Sequence, residues 1–226
     1  MSLTYDCSAC GETYWPSSPG AYTCEGCGGA LVRREIVMTE PIIESRMKSK
    51  ANRIGNGKGT NAFDRCQTPA YALEPLYPYL DPTVMIWEPA QGEGILAEAF
   101  RQRGYSVLAT DLLDDVDFFT YNPGPLYITI TNPPFSQKYL WLARCYELCN
   151  PFALLLPLET LGAAKAQCLF EENGVEIILL DKRVNFKMPY KGWGGKGAQF
   201  PVAWFTHGLG IGRELTYAHL ERVIPV

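Results

Sequence analysis

Apolar residues in this chain come in short bursts. Residues 84–87, 107–110, 128–131, 152–156, 175–180 and 202–207 are runs of four to six positions rich in Val, Ile, Leu and aromatics. That is the composition of strands covered on both faces. Helical spacing fills the stretches between them, through Tyr71, Leu73, Leu76 and Leu80, then Ile95, Leu96, Ala99 and Phe100, then Trp141, Leu142, Cys145 and Leu148, and again over 161–170. Strand and helix in alternation predict an α/β chain with a largely parallel sheet, whose closing strand, 202–207, is expected to run antiparallel.

Two bursts stop in unusual ways. Residues 128–131 run into Asn132-Pro133-Pro134-Phe135. The prolines cannot continue a strand, so a polar amide is expected at a strand's carboxyl end, at the head of a stiff loop. Open α/β sheets bind their ligands at that end. The Asn amide oxygen and a nearby backbone carbonyl can accept both hydrogens of one NH2 group, and Phe135 can stack on a planar base. The pattern suits chemistry on an exocyclic or amide nitrogen. Residues 84–87 run into Glu88-Pro89-Ala90-Gln91-Gly92-Glu93-Gly94 and then a helix, a strand–glycine turn–helix layout of the nucleotide-binding kind. An acidic residue at that strand end disfavours pyrophosphate and suits a cationic amino group. Asp111, about twenty residues on and after the 107–110 strand, is placed to accept from ribose hydroxyls.

Composition narrows the class. The chain has 226 residues, 47% of them hydrophobic, and a net charge of -4. That is room for one α/β domain and a small appendage, with no overall basic character. No signal peptide or membrane span is evident, and a cytoplasmic location is expected. Eight cysteines in a reducing compartment argue against a disulfide framework.

Four of those cysteines form two C-x-x-C pairs, Cys7 with Cys10 and Cys24 with Cys27, separated by thirteen residues. Four thiolates can close a tetrahedron around a structural Zn2+. Some thirty residues hold too little core to fold alone, so the metal would supply folding energy. Tyr14, Trp15 and Tyr22 lie between the pairs, either to fill the small core or to stack on bases. The stretch resembles a zinc ribbon, taken here as residues 1–38. Residues 39–62 form a basic linker in which Arg46, Lys48, Lys50, Arg53 and Lys58 occur without an acid between 45 and 60. It is either a phosphate-contacting segment or a solvated connector.

Asn-Pro-Pro-Phe, preceded by the Glu88–Gly94 turn and Asp111, resembles the motifs of amino-methyltransferases that use S-adenosyl-L-methionine, above all those acting on the N6 amine of adenine in DNA. The resemblance covers residues 63–207, within a domain taken as 63–226. It implies a Rossmann-like methyltransferase fold, a mostly parallel seven-stranded sheet with the last strand antiparallel. It assigns Thr68, Pro69, Glu88, Pro89, Ala90, Gly92, Gly94, Asp111, Leu112, Asp117, Phe118 and Asn132 to the cofactor. Asn132, Pro133, Pro134 and Phe135 become the catalytic residues. Only five residues separate Asp111 from Asp117, so the helix and third strand usual between them must be abbreviated.

The 181–201 stretch interleaves Lys182, Arg183, Lys187, Lys191 and Lys196 with Phe186, Tyr190 and Trp193. This suits a nucleic-acid groove or a hairpin with solvated lysines. Arg183-Val184-Asn185-Phe186 resembles the family's late motif, and Phe135, Lys138, Arg183, Phe186, Lys187 and Trp193 are the expected substrate contacts. DNA is the expected partner, with RNA possible. The alternatives are amino-methyl transfer to an RNA base or a protein glutamine amide, or an inactive zinc-ribbon adaptor that binds nucleic acid. The two histidines fit no constellation, and the oligomeric state is not legible.

Overall fold

The computed structural model of the protein describes residues 62–124, 126–188 and 200–221, together with four short strands outside them. Tyr5–Cys7 (β1), Thr13–Tyr14 (β2) and Leu31–Arg33 (β3) form a small antiparallel sheet with β1 in the middle. Cys10, Cys24, Cys27 and the side chains of Cys7 and Trp193 lie outside the described residues, as does the rest of the basic linker up to residue 61.

The main sheet takes Met85–Glu88 (β4), Val107–Ala109 (β5), Tyr127–Thr131 (β6), Phe152–Pro157 (β7) and Glu176–Leu180 (β8). Lys187–Met188 (β9) and Gly192–Trp193 (β10) pair as a separate antiparallel ribbon. Val202–His207 (β11) and Leu215–Ala218 (β12) return to the main sheet. Its spatial order is β12-β8-β11-β7-β6-β4-β5. Only β11 runs antiparallel to its neighbours, as expected for 202–207.

Every residue of β6 and β7 is buried, because helices cover both faces. Ile95–Gln102 (α1) lays Leu96 and Phe100 on the face that carries Ile86, Ile128, Ile130 and Trp204. Lys138–Leu148 (α2) and Ala164–Asn173 (α3) cover the other face, packing on Trp87, Tyr127, Leu154 and Phe205. Alternation along β4 explains the split, since Ile86 and Trp87 point to opposite layers. This is the seven-stranded, mostly parallel architecture that the motifs imply.

The structure departs from expectation in three places. The 71–80 pattern forms no α-helix but two short 3-10 turns, Ala70–Leu73 and Tyr77–Tyr79. Pro75 and Pro78 remove amide donors that an α-helix there would need. The 161–170 helix begins later, at Ala164, after a 3-10 turn at Leu158–Gly162. In keeping with the short 111–117 spacing, no strand lies between β5 and β6 among the described residues. A 3-10 turn at Leu112–Asp114 leads into Phe118 and Phe119, which drop into the core. Finally, β12 was not legible, because its residues alternate between exposed and half-buried and show no apolar burst.

Candidate active site

The parallel strands β5, β4 and β6 lie side by side, and their carboxyl ends carry the predicted site. Glu88 is level with Ala109, and Trp87 with Thr129. Asp111 therefore leaves β5, and Asn132 leaves β6, on either side of the Glu88–Gly94 turn. Adjacent strands are about 4.8 Å apart, so the three predicted polar residues share one edge of the sheet.

Glu88 is 2% exposed, and its Oε2 has no hydrogen-bond partner among the described residues. Burial pushes its carboxyl well above the usual carboxylate range. The Ala97 amide in the first turn of α1 opposes that rise, the charge of Asp111 adds to it, and Arg101 slightly opposes it. A buried acid with one bare oxygen is poised to ionise only when a cation arrives. The turn that follows needs glycine twice, since Gly92 has φ +52 and Gly94, the N-cap of α1, has φ +79. Pro89 is buried and Ala90 half-buried beside it.

Asp111 ties the two strand ends together. Its Oδ2 accepts from the Gly92 amide at 2.9 Å, and its Oδ1 accepts from Leu113 at 2.9 Å. Gln91 donates to Asp114 at 2.8 Å across the same gap. Leu112 is exposed next to it. Asp117 accepts from the Phe119 amide at 3.0 Å. Phe118 is buried, with its ring stacked on Trp141 at 3.9 Å and tilted against Trp87 at 5.4 Å. These rings occupy most of its surface and leave little of it to face a ligand.

Asn132 is half-buried, and its Oδ1 is buried without a hydrogen-bond partner among the described residues. Pro133 is buried and Pro134 half-buried, which fixes the loop. Phe135 meets Phe186 edge-on at 6.3 Å and Phe200 edge-on at 5.8 Å. Phe200, 41% exposed, was not singled out in the sequence, where it sits outside any motif. Phe186 belongs to a buried stretch with Val184 and Asn185, and the Asn185 amide donates to the Tyr71 hydroxyl at 2.7 Å.

The expected cationic contacts are engaged with acids. Lys138 pairs with Glu159 at 3.5 Å and lies over the Tyr139 ring, while Lys187 pairs with Glu93 in the glycine turn. Arg183 is exposed. Thr68 and Pro69 are buried, and the Thr68 hydroxyl has no hydrogen-bond partner among the described residues. They open a four-residue 3-10 turn, not the α-helix terminus expected to meet a carboxylate.

S-adenosylmethionine fits this edge. Glu88 offers an ammonium a buried oxygen that has no partner among the described residues, Asp111 lies at the second strand end, and Gly94 adds no side chain at the head of α1. Among the described residues no three His, Cys, Asp or Glu side chains gather as a metal site, and no helix is long and apolar enough to cross a membrane.

The fold is a Rossmann-like α/β architecture with a seven-stranded, mostly parallel sheet, and the candidate site lies at three parallel strand ends. No protein-family model matches the chain, and no curated protein matches it. Among solved structures it is similar to the modification subunit of a putative type I restriction enzyme from Vibrio vulnificus YJ016, with a TM-score of 0.46 and 14% identity, over 78% of this chain and 50% of that one. The chain thus spans about half the length of that subunit. It is also similar to a predicted O-methyltransferase from Agrobacterium tumefaciens, with a TM-score of 0.33 and 14% identity, over 62% of this chain and 79% of the other.

Proposed function

We propose that the chain transfers a methyl group from S-adenosylmethionine to the exocyclic N6 amine of adenine in DNA. The observation that carries this reading is the Asn132 amide oxygen, buried just after β6 without a partner among the described residues and followed closely by Phe135. A buried acceptor left unmatched is costly unless a ligand completes it.

When bound, the cofactor supplies an electrophilic methyl group on a sulfonium. Glu88 would pair with its ammonium, Asp111 would accept from its ribose, and the Gly92–Gly94 turn would admit its backbone-hugging end. On the acceptor side, Asn132 Oδ1 and the Pro133 carbonyl each accept one amine hydrogen. That draws the nitrogen out of conjugation with the ring and aims its lone pair at the methyl group. The nitrogen, positive once it has taken the methyl group the cofactor would supply, would shed one proton to water. The Pro-Pro geometry holds both acceptors in place beforehand, so little reorganisation is needed. A paired base cannot reach this edge, so the adenine must leave its duplex and stack on Phe135, with Phe200 beside it. The amino-terminal 38 residues complete the reading as a zinc ribbon. Its support is the four-cysteine set and the three-stranded sheet in which Cys7 ends β1.

One observation favours a second acceptor class. Lys138 and Lys187 pair with Glu159 and Glu93, which weakens the local pull on phosphate and suits a protein amide. A single experiment separates these readings. The protein is incubated with methyl-labelled S-adenosylmethionine and, separately, DNA, RNA and protein, and the labelled pool is digested to its components. N6-methyladenine from DNA is expected and is lost in Asn132→Ala, which still binds the cofactor. Label in glutamine or in RNA alone overturns the DNA reading, and loss of cofactor binding in Asn132→Ala contradicts the role of Asn132.

A further inference from the structure

Just ahead of the Thr68-Pro69 pair, a few residues touch three separate segments beside the candidate site. Asp64 accepts from both the hydroxyl and the amide of Ser136, at 2.7 and 3.3 Å. Ser136 follows Phe135, so this contact holds the acceptor loop. Cys66 donates to the sulfur of Met188 at 3.2 Å. Gln67 exchanges two backbone hydrogen bonds with Lys187, both at 2.9 Å, in an isolated antiparallel bridge. Its side-chain oxygen accepts from the Glu93 amide at 2.9 Å. The Gln67 carboxamide also fills the space where a Gly92 side chain would be, since a Cβ there would lie 2.5 Å from its nitrogen. Lys187 closes the ring by pairing with Glu93. The acceptor loop, the glycine turn and the 183–188 stretch belong to three distant parts of the chain, and residues 64–67 contact all three.

We infer that residues 64–67 form a strap that sets the two halves of the site in register, with Asp64 positioning the Asn132 loop through Ser136 and Gln67 positioning the glycine turn. Neither residue need touch substrate or cofactor. This inference rests on the proposed methyl-transfer reading for its kinetic consequence, but not for its geometry. Geometry decides which parameter each contact controls. Asp64 holds the acceptor loop through both bonds to Ser136, so its loss is expected to displace Asn132. Gln67 holds the Glu93 amide, so its loss loosens the cofactor side. A displacement of about 1 Å at a reacting group can cost roughly a hundredfold in rate.

The test uses the full chain and four variants, Asp64→Ala, Asp64→Asn, Ser136→Ala and Gln67→Ala. Three readouts are taken: amide exchange by NMR without cofactor, S-adenosylmethionine affinity by calorimetry, and single-turnover transfer at saturating cofactor. Asp64→Ala is expected to speed exchange at Ser136 at least about tenfold and to slow transfer about tenfold to a hundredfold, with cofactor affinity unchanged. Asp64→Asn restores most of both, because a carboxamide still accepts from the Ser136 amide. Ser136→Ala slows transfer less than Asp64→Ala, because the backbone amide at 136 still donates to Asp64. Gln67→Ala speeds exchange at Glu93 and weakens the cofactor about tenfold. Unchanged exchange at Ser136 in Asp64→Ala, or the same parameter falling in Asp64→Ala and Gln67→Ala, overturns the strap. If the wild-type chain binds no S-adenosylmethionine, the methyl-transfer reading fails, while the exchange data still decide whether the strap holds these loops.

Discussion

Replacing Glu88 by Gln tests the cofactor side most sharply, because the side chain is buried and keeps its shape. Burial raises the wild-type carboxyl well above the ordinary carboxylate range, and the charge of Asp111 adds to the effect. An ammonium about 4 Å away would gain roughly 4 kcal/mol from the ionised form at an effective dielectric of about 20. Removing the charge while keeping the amide sacrifices about 1.5–3 kcal/mol, the usual worth of a charged hydrogen bond. Glu88→Gln should therefore weaken S-adenosylmethionine about tenfold to a hundredfold. The pH dependence adds a second signature. Glu88 must lose its proton when the ammonium binds, so wild-type affinity should rise by up to about tenfold per pH unit until the raised pKa is passed. Glu88→Gln should show none of that slope. Without cofactor the sign reverses. A raised carboxyl pKa gives stability that is complete below the ordinary carboxylate range and lost as pH rises through the raised value, so the Gln variant should be the more stable at alkaline pH. Calorimetry in buffers of different ionisation enthalpy counts the released proton, and denaturant titration across pH gives the stability. Parallel affinity slopes in both proteins, or a Gln variant that binds as tightly as wild type, would refute the reasoning.

Further outcomes follow from single contacts. Gly92→Ala places a Cβ at φ +52 against the Gln67 carboxamide. It should cost about 1–2 kcal/mol from backbone strain and lower Tm by roughly 2–8 °C, with a smaller loss in a Gln67→Ala background. Burial holds the His207 imidazole down at about 4, where it packs on Phe152 and Tyr146. Its neutral form stabilises the fold above the ordinary histidine pKa, and that contribution, on the order of 3 kcal/mol, should drain away as pH falls from 6.5 through 4. His207→Phe should flatten this acid limb in denaturant titrations. Metal analysis should find one zinc per chain, lost in Cys24→Ser. A metal content that this variant leaves unchanged would rule out the ribbon.

The parts of the fold that sequence reveals are those whose burial is complete. β6 and β7 are apolar throughout because helices lie on both faces, and their pattern is unmistakable. β12 has water on one side, so its Leu-Thr-Tyr-Ala run carries no such mark. The turns at 70–79 keep helical apolar spacing because the same side chains face the same core, although Pro75 and Pro78 forbid the α form. The site divides in the same way. Asn132, Glu88 and Asp111 were legible because each ends a strand. Asp64, Gln67, Ser136 and Phe200 were not, since their roles come from contacts spanning up to 120 residues of chain. Phe118 was placed at the ligand by motif position, and Trp141 holds it in the core.

The two borders of the main sheet are unlike. β5 is three residues long and gives way to a turn carrying Asp111, Asp114 and Asp115. β12 is bordered only by β8 among the described residues and shows Leu215 and Tyr217 to solvent, at 46% and 72% exposure. Open strand edges template further strands, while short edges and clustered charge resist them. Self-association under crowding should therefore begin at β12, three strands beyond β7, and would leave the border beside the candidate site unobstructed.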